Sequence, residues 1–399
     1  MNPDRGGTPR LCFVVSSPMT AEAFLAGHVR ALADRFDVHL IVNSDPAAIT
    51  HPDLARATIH RVRIERAISP LEDLQGLAQL YRIMRRERFS AVHSVTPKAG
   101  LLTAIAAFLA RVPLRFHTFT GQVWATRRGV GRTLLKALDA VIARLNTHLF
   151  VDSASQRAFL KHEGVLAPSQ GIVLGHGSVC GVDADRFTPD AAARAAVRSE
   201  LGIPDSALVY LFVGRLTHDK GVLELASAFS AVARDREDSF LVLVGPDEDK
   251  LEPQIREACA DAETRLRFVA WSNAPERYMA AADVFCLPSH REGFGSTIIE
   301  AAAAGLPAIG SRIYGVTDAI DDGATGLLFE RGDVAGLSAA MRTLADAPDV
   351  RAAMGVAARS RALRDFSKAS ITAALVAFYT AALAATGAAK TLTDHDLNR

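Results

Sequence analysis

The chain has 399 residues, of which 49% are hydrophobic and 22% charged, with 45 Lys+Arg against 44 Asp+Glu. That composition supplies apolar material for two cores and excludes a disordered, collagen-like or disulfide-framework chain. The net charge of +1 hides an asymmetry, because residues 1–190 carry 23 Lys+Arg against 16 Asp+Glu and the rest carry 22 against 28.

The first ten residues, MNPDRGGTPR, lack a basic segment followed by an apolar run, so no signal peptide is expected. No uncharged apolar run of about 18 residues is read as a membrane span. The longest candidate, Gly100 to Ala110, is too short. Cys12, Cys180, Cys259 and Cys286 are scattered without metal spacing, which fits a reducing cytoplasm.

In chain order, short apolar runs alternate with helix-length segments. Leu11–Val15, Val38–Val42, Ala91–Val95, Leu114–Phe119 and His148–Val151 read as buried strands. Between them, Ala21–Asp34, Leu71–Arg86, Ala99–Leu109 and Gly131–Leu145 read as helices. Strands at Leu208–Val213, Phe240–Val244, Leu266–Val269, Val284–Leu287 and Pro307–Gly310 begin a second series. This rhythm predicts parallel sheets built from βαβ units. The expected domains are 1–195 and 196–375, with a C-terminal helix and tail at 376–399 packing back on the first domain. The stretch Phe187–Pro204, which holds two prolines, reads as the linker. Ligands of such sheets bind beyond the carboxyl ends of the strands, which directs the search for chemistry there.

After the strand ending at Val213 comes Gly214-Arg215-Leu216-Thr217-His218-Asp219-Lys220-Gly221. Gly214 lets an anion approach, and Arg215 and Lys220 set two cations at the mouth of a helix, which is itself positive. That is the outline of a diphosphate site, although an ordinary βα turn with surface charges fits this segment equally well on its own. After Val284–Leu287 comes Ser289-His290-Arg291-Glu292-Gly293-Phe294-Gly295-Ser296-Thr297-Ile298-Ile299-Glu300. Here the amides of Phe294, Gly295, Ser296 and Thr297 open a helix carrying Glu300 and offer oriented donors. Glu292 and Glu300 can each grip different hydroxyls of one ligand.

The two carboxylates spaced by seven residues, the Gly-Phe-Gly loop and the upstream Gly-Arg-Leu-x-x-x-Lys-Gly together resemble glycosyltransferase family 4. The likeness runs from the strand at Leu11 to the helix near Leu375. It implies an α/β chain of GT-B fold, with two doubly wound Rossmann-like domains facing a cleft, and retaining transfer. By this resemblance Arg215 and Lys220 bind the donor diphosphate, and Gly214 lies beside it. Glu300 holds the ribose hydroxyls, and Glu292 contacts a hydroxyl of the transferred sugar.

A third motif, Arg115-Phe116-His117-Thr118-Phe119-Thr120-Gly121, ends a strand of the first domain. A lone histidine at a strand end is more often structural, but the resemblance places His117 beside the donor sugar. The following segment, through Trp124, Arg127 and Arg128, reads as an acceptor loop suited to an interfacial lipid diphosphate. His93–Gly100, His117–Gly129 and Arg291–Pro307 look like a narrower group of bacterial enzymes that extend a sugar on a polyprenyl diphosphate. Of these, the N-acetylgalactosaminyltransferases of glycan assembly are the nearest kind. The loop Ser16-Ser17-Pro18 departs from the Gly-Gly loop of many family members.

The expected partners are a nucleotide sugar, most simply UDP-linked, a lipid-linked sugar acceptor and an anionic membrane surface, with no nucleic acid. No cofactor and no metal are expected, because cations already cover the diphosphate. The expected location is the inner face of the cytoplasmic membrane, held peripherally. Alternatives are a nucleotide-sugar 2-epimerase of the same fold, a transferase with a soluble acceptor, and a non-catalytic sugar-nucleotide binder.

Overall fold

The computed structural model describes residues 8–65 and 69–396. The chain forms two compact units. The first comprises Met1–Asp152, Arg157–Cys180 and Ala369–Arg399, and the second Ser153–Gln156 and Gly181–Lys368.

The first unit is built on β1 (Arg10–Val14), β2 (Asp37–Val42), β3 (Thr58–Arg61), β4 (Ala91–Val95), β5 (Leu114–Phe119) and β6 (His148–Val151). They pair in parallel in the order β3-β2-β1-β4-β5-β6. The runs read as continuous apolar segments because helices cover both faces. Leu11 and Phe13 join one core layer while Cys12 and Val14 join the opposite one, as the two-residue period of a strand requires. Connections leave β1 in opposite directions, toward β2 on one side and β4 on the other, so a switch point opens between β1 and β4.

The second unit repeats the plan with β7 (Leu208–Val213), β8 (Ser239–Val244), β9 (Leu266–Val269), β10 (Val284–Leu287), β11 (Ala308–Ser311) and β12 (Gly326–Phe329), in the order β12-β11-β10-β7-β8-β9. Its switch point lies between β10 and β7. The strands β3 and β12 had no counterpart in the sequence reading. Both are four-residue edge strands, Thr-Ile-His-Arg and Gly-Leu-Leu-Phe, too short and mixed to stand out from loops.

The expected linker at Phe187–Pro204 is corrected. Ala191–Glu200 is a helix, capped by Asp190, whose carboxylate accepts the Ala193 N–H at 2.9 Å. Phe187 and Val197 lie in the core of the second unit. Arg198 is buried there, pairing with Asp283 at 2.9 Å and donating to the carbonyls of Ala281, Pro204, Asp205 and Ala207. The backbone enters the second unit already at Val182, whose N–H bonds the Phe366 carbonyl.

The expectation that no uncharged run reaches spanning length is corrected as well. Among the described residues, Lys368–Thr386 is long and apolar enough to cross a membrane, and it is one stretch of a helix that runs Lys368–Asp396. Here that length serves a core: Ile371, Leu375, Val376 and Tyr379 are buried, the last three in the cluster that holds Leu11 and Phe13. The Tyr379 hydroxyl bonds Nδ1 of His93 on β4, and His93 Nε2 lies 2.7 Å from the Thr118 hydroxyl on β5. Burial pulls the His93 pKa well below its ordinary value, so the ring stays neutral and both its nitrogens are bonded.

Candidate active site

In the second unit, the loops after β7 and β10 meet at the switch point. The β7 loop, from Gly214 to Gly221, runs beside the loop after β8. The Leu216 N–H bonds the Pro246 carbonyl at 2.9 Å, and Asp249 accepts from both the N–H and Nδ1 of His218 at 2.9 and 3.0 Å. Gly221 turns the chain into the helix Val222–Ala233 with φ +68°, and a Cβ there would overlap the Pro288 carbonyl. Glycine is therefore required both by conformation and by the close approach of the two loops. The β10 loop is laced to the same place: Arg291 pairs with Asp219 at 2.9 Å, and the His290 N–H bonds the Asp219 carbonyl at 2.8 Å.

These ties bring together residues the sequence separates by more than seventy positions. Lys220 forms an ion pair with Glu292, and the same carboxylate oxygen accepts the Ser289 hydroxyl at 2.7 Å. Arg215 pairs with Glu248 of the β8 loop at 2.7 Å. Ser289 is fully buried and Glu248 exposed; Ser289 opened the sequence motif without an assigned role, and Glu248 was not singled out. The role of Ser289 could have been read from its place as the first polar residue after β10 and Pro288. Gly295 precedes the helix Ser296–Ala303, whose first-turn N–H groups, including those of Ser296 and Thr297, have no partner within the helix. The Phe294 side chain is buried edge-on against Phe366, so only its backbone is available to a ligand. Glu300 lies on the same helix. It is partly buried, and desolvation pushes its pKa up to about 7, with Arg186 lowering it and Glu276 raising it.

In the first unit, His117 lies inside β5, two residues before its end, and its ring is 1% exposed. Nδ1 lies 2.9 Å from the Ser94 hydroxyl, and Phe119 packs edge-on at 4.7 Å. Burial pulls its pKa to about 3, so the imidazole is neutral. The expectation that His117 opens toward a ligand is corrected: the ring points into the layer beneath the helix Pro97–Leu109.

Trp124 is a second correction. Expected to offer apolar surface to an acceptor, it is 1% exposed, with its N–H donated to Asp139 at 2.7 Å and its ring stacked on Phe159. An indole that finds both an apolar slot and a hydrogen-bond acceptor gains more by burial than by exposure. Arg127 and Arg128 are exposed at the end of the same loop. Exposed apolar residues stand nearby in sequence on the helix Gly129–Leu145, where Val130 is 85% and Leu134 58% exposed.

Comparison with known proteins agrees with this fold. Residues 20–174 match the glycosyl transferase 4-like domain, and residues 193–361 match glycosyl transferases group 1. A capsular polysaccharide biosynthesis glycosyltransferase, CapM of Staphylococcus aureus, is 28% identical over 86% of this chain and 89% of its own. The UDP-Gal:alpha-D-GlcNAc-diphosphoundecaprenol alpha-1,3-galactosyltransferase of Escherichia coli is 28% identical over 75% of this chain and 78% of its own. Among solved structures, Anabaena HepE in complex with UDP-glucose superposes with a TM-score of 0.78 at 20% identity, covering 94% of this chain and 99% of that one. With two six-stranded parallel sheets and both family domains in order, the chain is a glycosyltransferase of the GT-B fold and of family 4 type.

Proposed function

We propose that this transferase retains anomeric configuration and moves a hexose or N-acetylhexosamine from a nucleoside-diphosphate sugar, UDP-linked by preference, to a sugar carried on a polyprenyl diphosphate. The product would serve surface polysaccharide or glycan assembly. The observation that carries this reading is the meeting of Lys220, Glu292 and Ser289 at the β7/β10 switch point, with Arg215 on the same β7 loop and Glu300 on the helix that follows the β10 loop. The galactosyltransferase relative acts, by its name, on a sugar linked to diphosphoundecaprenol, and the solved HepE complex holds UDP-glucose.

In this reading, the bond from the anomeric carbon to the diphosphate oxygen breaks with its electron pair passing to the leaving group. Arg215 and Lys220 meet the charge that grows there, as preorganised cations do best in a shielded site. The acceptor hydroxyl attacks from the face the diphosphate is leaving, and its proton passes to a departing phosphate oxygen. Two side-chain cations then suffice without a divalent metal. Glu292, steered by Lys220 and Ser289, takes a hydroxyl of the transferred sugar, and Glu300 takes the ribose hydroxyls. His117 stays neutral inside β5, packed against Gly100 of the helix Pro97–Leu109.

The acceptor stays in its bilayer, so we assign the first unit to a peripheral position on the inner face of the cytoplasmic membrane. Arg127 and Arg128 supply charge, Val130 and Leu134 supply apolar contact, and Leu71 and Leu74 expose 78% and 63% of their surface on the helix Pro70–Glu87. Each basic residue close to an anionic surface contributes about 1 kcal/mol.

The test is a panel of nucleotide sugars incubated with a polyprenyl-diphosphate-linked N-acetylhexosamine, with the product read by mass spectrometry and its anomer by NMR. A lipid-linked product with the donor's anomeric configuration supports the reading. An inverted linkage refutes retention, and transfer confined to water-soluble acceptors refutes the lipid acceptor.

A further inference from the structure

We propose that Asp139 is a positioning residue for acceptor transfer, acting through Trp124 to hold the loop 120–128 in the shape that presents Arg127 and Arg128. The inference rests on reading that loop as the acceptor side.

The loop joins β5 to the helix Gly129–Leu145 and has one large anchor, Trp124. Its own backbone bonds are turns hinged on that residue: Ala125 N–H to the Gln122 carbonyl and Arg127 N–H to the Trp124 carbonyl, each 3.1 Å. Where the indole sits therefore decides where Arg127 starts. The indole sits in a cage. Phe159 stacks on it at 5.3 Å and 20°, while Arg132 and Lys136 lie 5.4 and 5.8 Å from the ring centre. Both cations are drawn there by Glu163, each at 2.7 Å. Asp139 closes the cage by accepting the indole N–H at 2.7 Å.

Asp139 is the one acid between Arg111 and Arg144, and it lies on the buried face of its helix beside Ile142 and Ala143. A carboxylate in such a place is costly. The cost shows in its pKa, pushed up to about 6 by burial and only partly restored by the indole bond. A carboxylate does something an apolar residue cannot: it makes one indole orientation the satisfied one, because a buried N–H left unpaired is itself penalised.

A staple of the core and a positioning residue differ in what they change. Asp139→Leu removes the acceptor and fills the space, Trp124→Phe keeps a stacking ring without the N–H, and Asp139→Asn keeps an oxygen that can accept. The assay follows initial rates with the active UDP-sugar and a farnesyl-diphosphate-linked N-acetylglucosamine probe. Asp139→Leu and Trp124→Phe are expected to raise the KM for this acceptor about tenfold, the scale of one buried hydrogen bond. Donor KM and donor hydrolysis without acceptor stay at the parent values, and Asp139→Asn recovers most of the loss. The chain has two tryptophans, so a Trp271→Phe background leaves Trp124 as the sole tryptophan, excited selectively beyond the tyrosine absorption. There, Asp139→Leu is expected to increase acrylamide quenching of Trp124. An unchanged acceptor KM overturns the proposal, as does an equal loss in donor and acceptor parameters. If Asp139→Leu fails to fold, Trp124→Phe decides by the same criteria. Arg127→Glu with Arg128→Glu separates the two levels. If that variant raises acceptor KM while Asp139→Leu does not, this inference alone fails. If neither does, the reading of the loop as acceptor side fails with it.

Discussion

The ring of His117 occupies the space a side chain at position 100 would need, because a Cβ on Gly100 would stand 2.8 Å from its Nδ1. The helix Pro97–Leu109 therefore approaches β5 closely only because residue 100 has no side chain. Gly100→Ala is expected to destabilise the protein by about 1–3 kcal/mol through overpacking. Adding His117→Ala to it is expected to give back part of that loss, since the two sites share one space. Urea unfolding of the two single variants and the double variant reads the coupling, and strict additivity would contradict the contact.

The same ring gives a pH dependence. The unfolded chain takes up the His117 proton near pH 6.5, whereas the folded protein resists it down to about pH 3. The contribution to stability is full above about pH 6.5 and is lost progressively as pH falls below it. His117→Gln is expected to weaken the loss of stability between pH 6.5 and 5, measured by thermal unfolding at each pH.

Glu300 has the opposite sign. With its carboxyl raised to about 7, the ligand-free fold favours the protonated form, so this group's contribution is lost as pH rises through 7. Nucleotide binding runs the other way if ribose hydroxyls donate to the carboxylate, and donor affinity is expected to increase from pH 6 to 8. Glu300→Ala is expected to cost roughly 1.5–3 kcal/mol of donor binding and to flatten this dependence. Calorimetry at both pH values measures it, and a wild-type affinity in the variant would remove Glu300 from the nucleotide site.

Arg215→Ala and Lys220→Ala are each expected to lower turnover by roughly 10²–10³, the scale of one preorganised electrostatic contact, with the fold intact by circular dichroism. Lys220→Ala also leaves Glu292 beside Ser289 without its cation. Adding Glu292→Gln is therefore expected to cost less than it does alone. Activity is expected to persist in EDTA, and full loss restored by Mg²⁺ would show that the two cations do not suffice.

Anionic liposomes are expected to sediment the protein, and high salt to release it, because surface charge is screened within about 8 Å at physiological ionic strength. Arg127→Glu with Arg128→Glu, and separately Val130→Ser with Leu134→Ser, are expected to reduce binding while leaving donor affinity unchanged. Equal sedimentation of both variants would place docking elsewhere.

The central strands were legible because parallel strands covered on both faces write long apolar runs, as Leu208–Val213 and Val38–Val42 do. Edge strands covered less fully write no such run, and β3 and β12 passed as loop. The helix Ala191–Glu200 was hidden by its flanking prolines and by Arg198, a charge that reads as surface until five oxygens are seen to receive it. In the second unit the candidate site was readable because its residues lie in two short motifs following adjacent strands. Ser289 belonged to that motif, but its bond to Glu292 appears only once the loop is folded. Trp124 was misread because composition shows an aromatic among arginines without showing the carboxylate fifteen positions on that draws it inward.

The closing helix carries a consequence for biosynthesis. Tyr379 fills a core whose other walls are Phe13, His93, Phe116 and Phe150. Those four residues leave the ribosome long before Tyr379 is made, and the whole of Gly181–Lys368 is translated in between. At about 5–20 residues per second, the interval is on the order of ten seconds or more. During it the first sheet is a nascent fragment with an apolar face uncovered, while the second unit can already close. Ribosome-bound chains stopped before residue 369 are therefore expected to recruit chaperones through their N-terminal half, and chains released at full length are not.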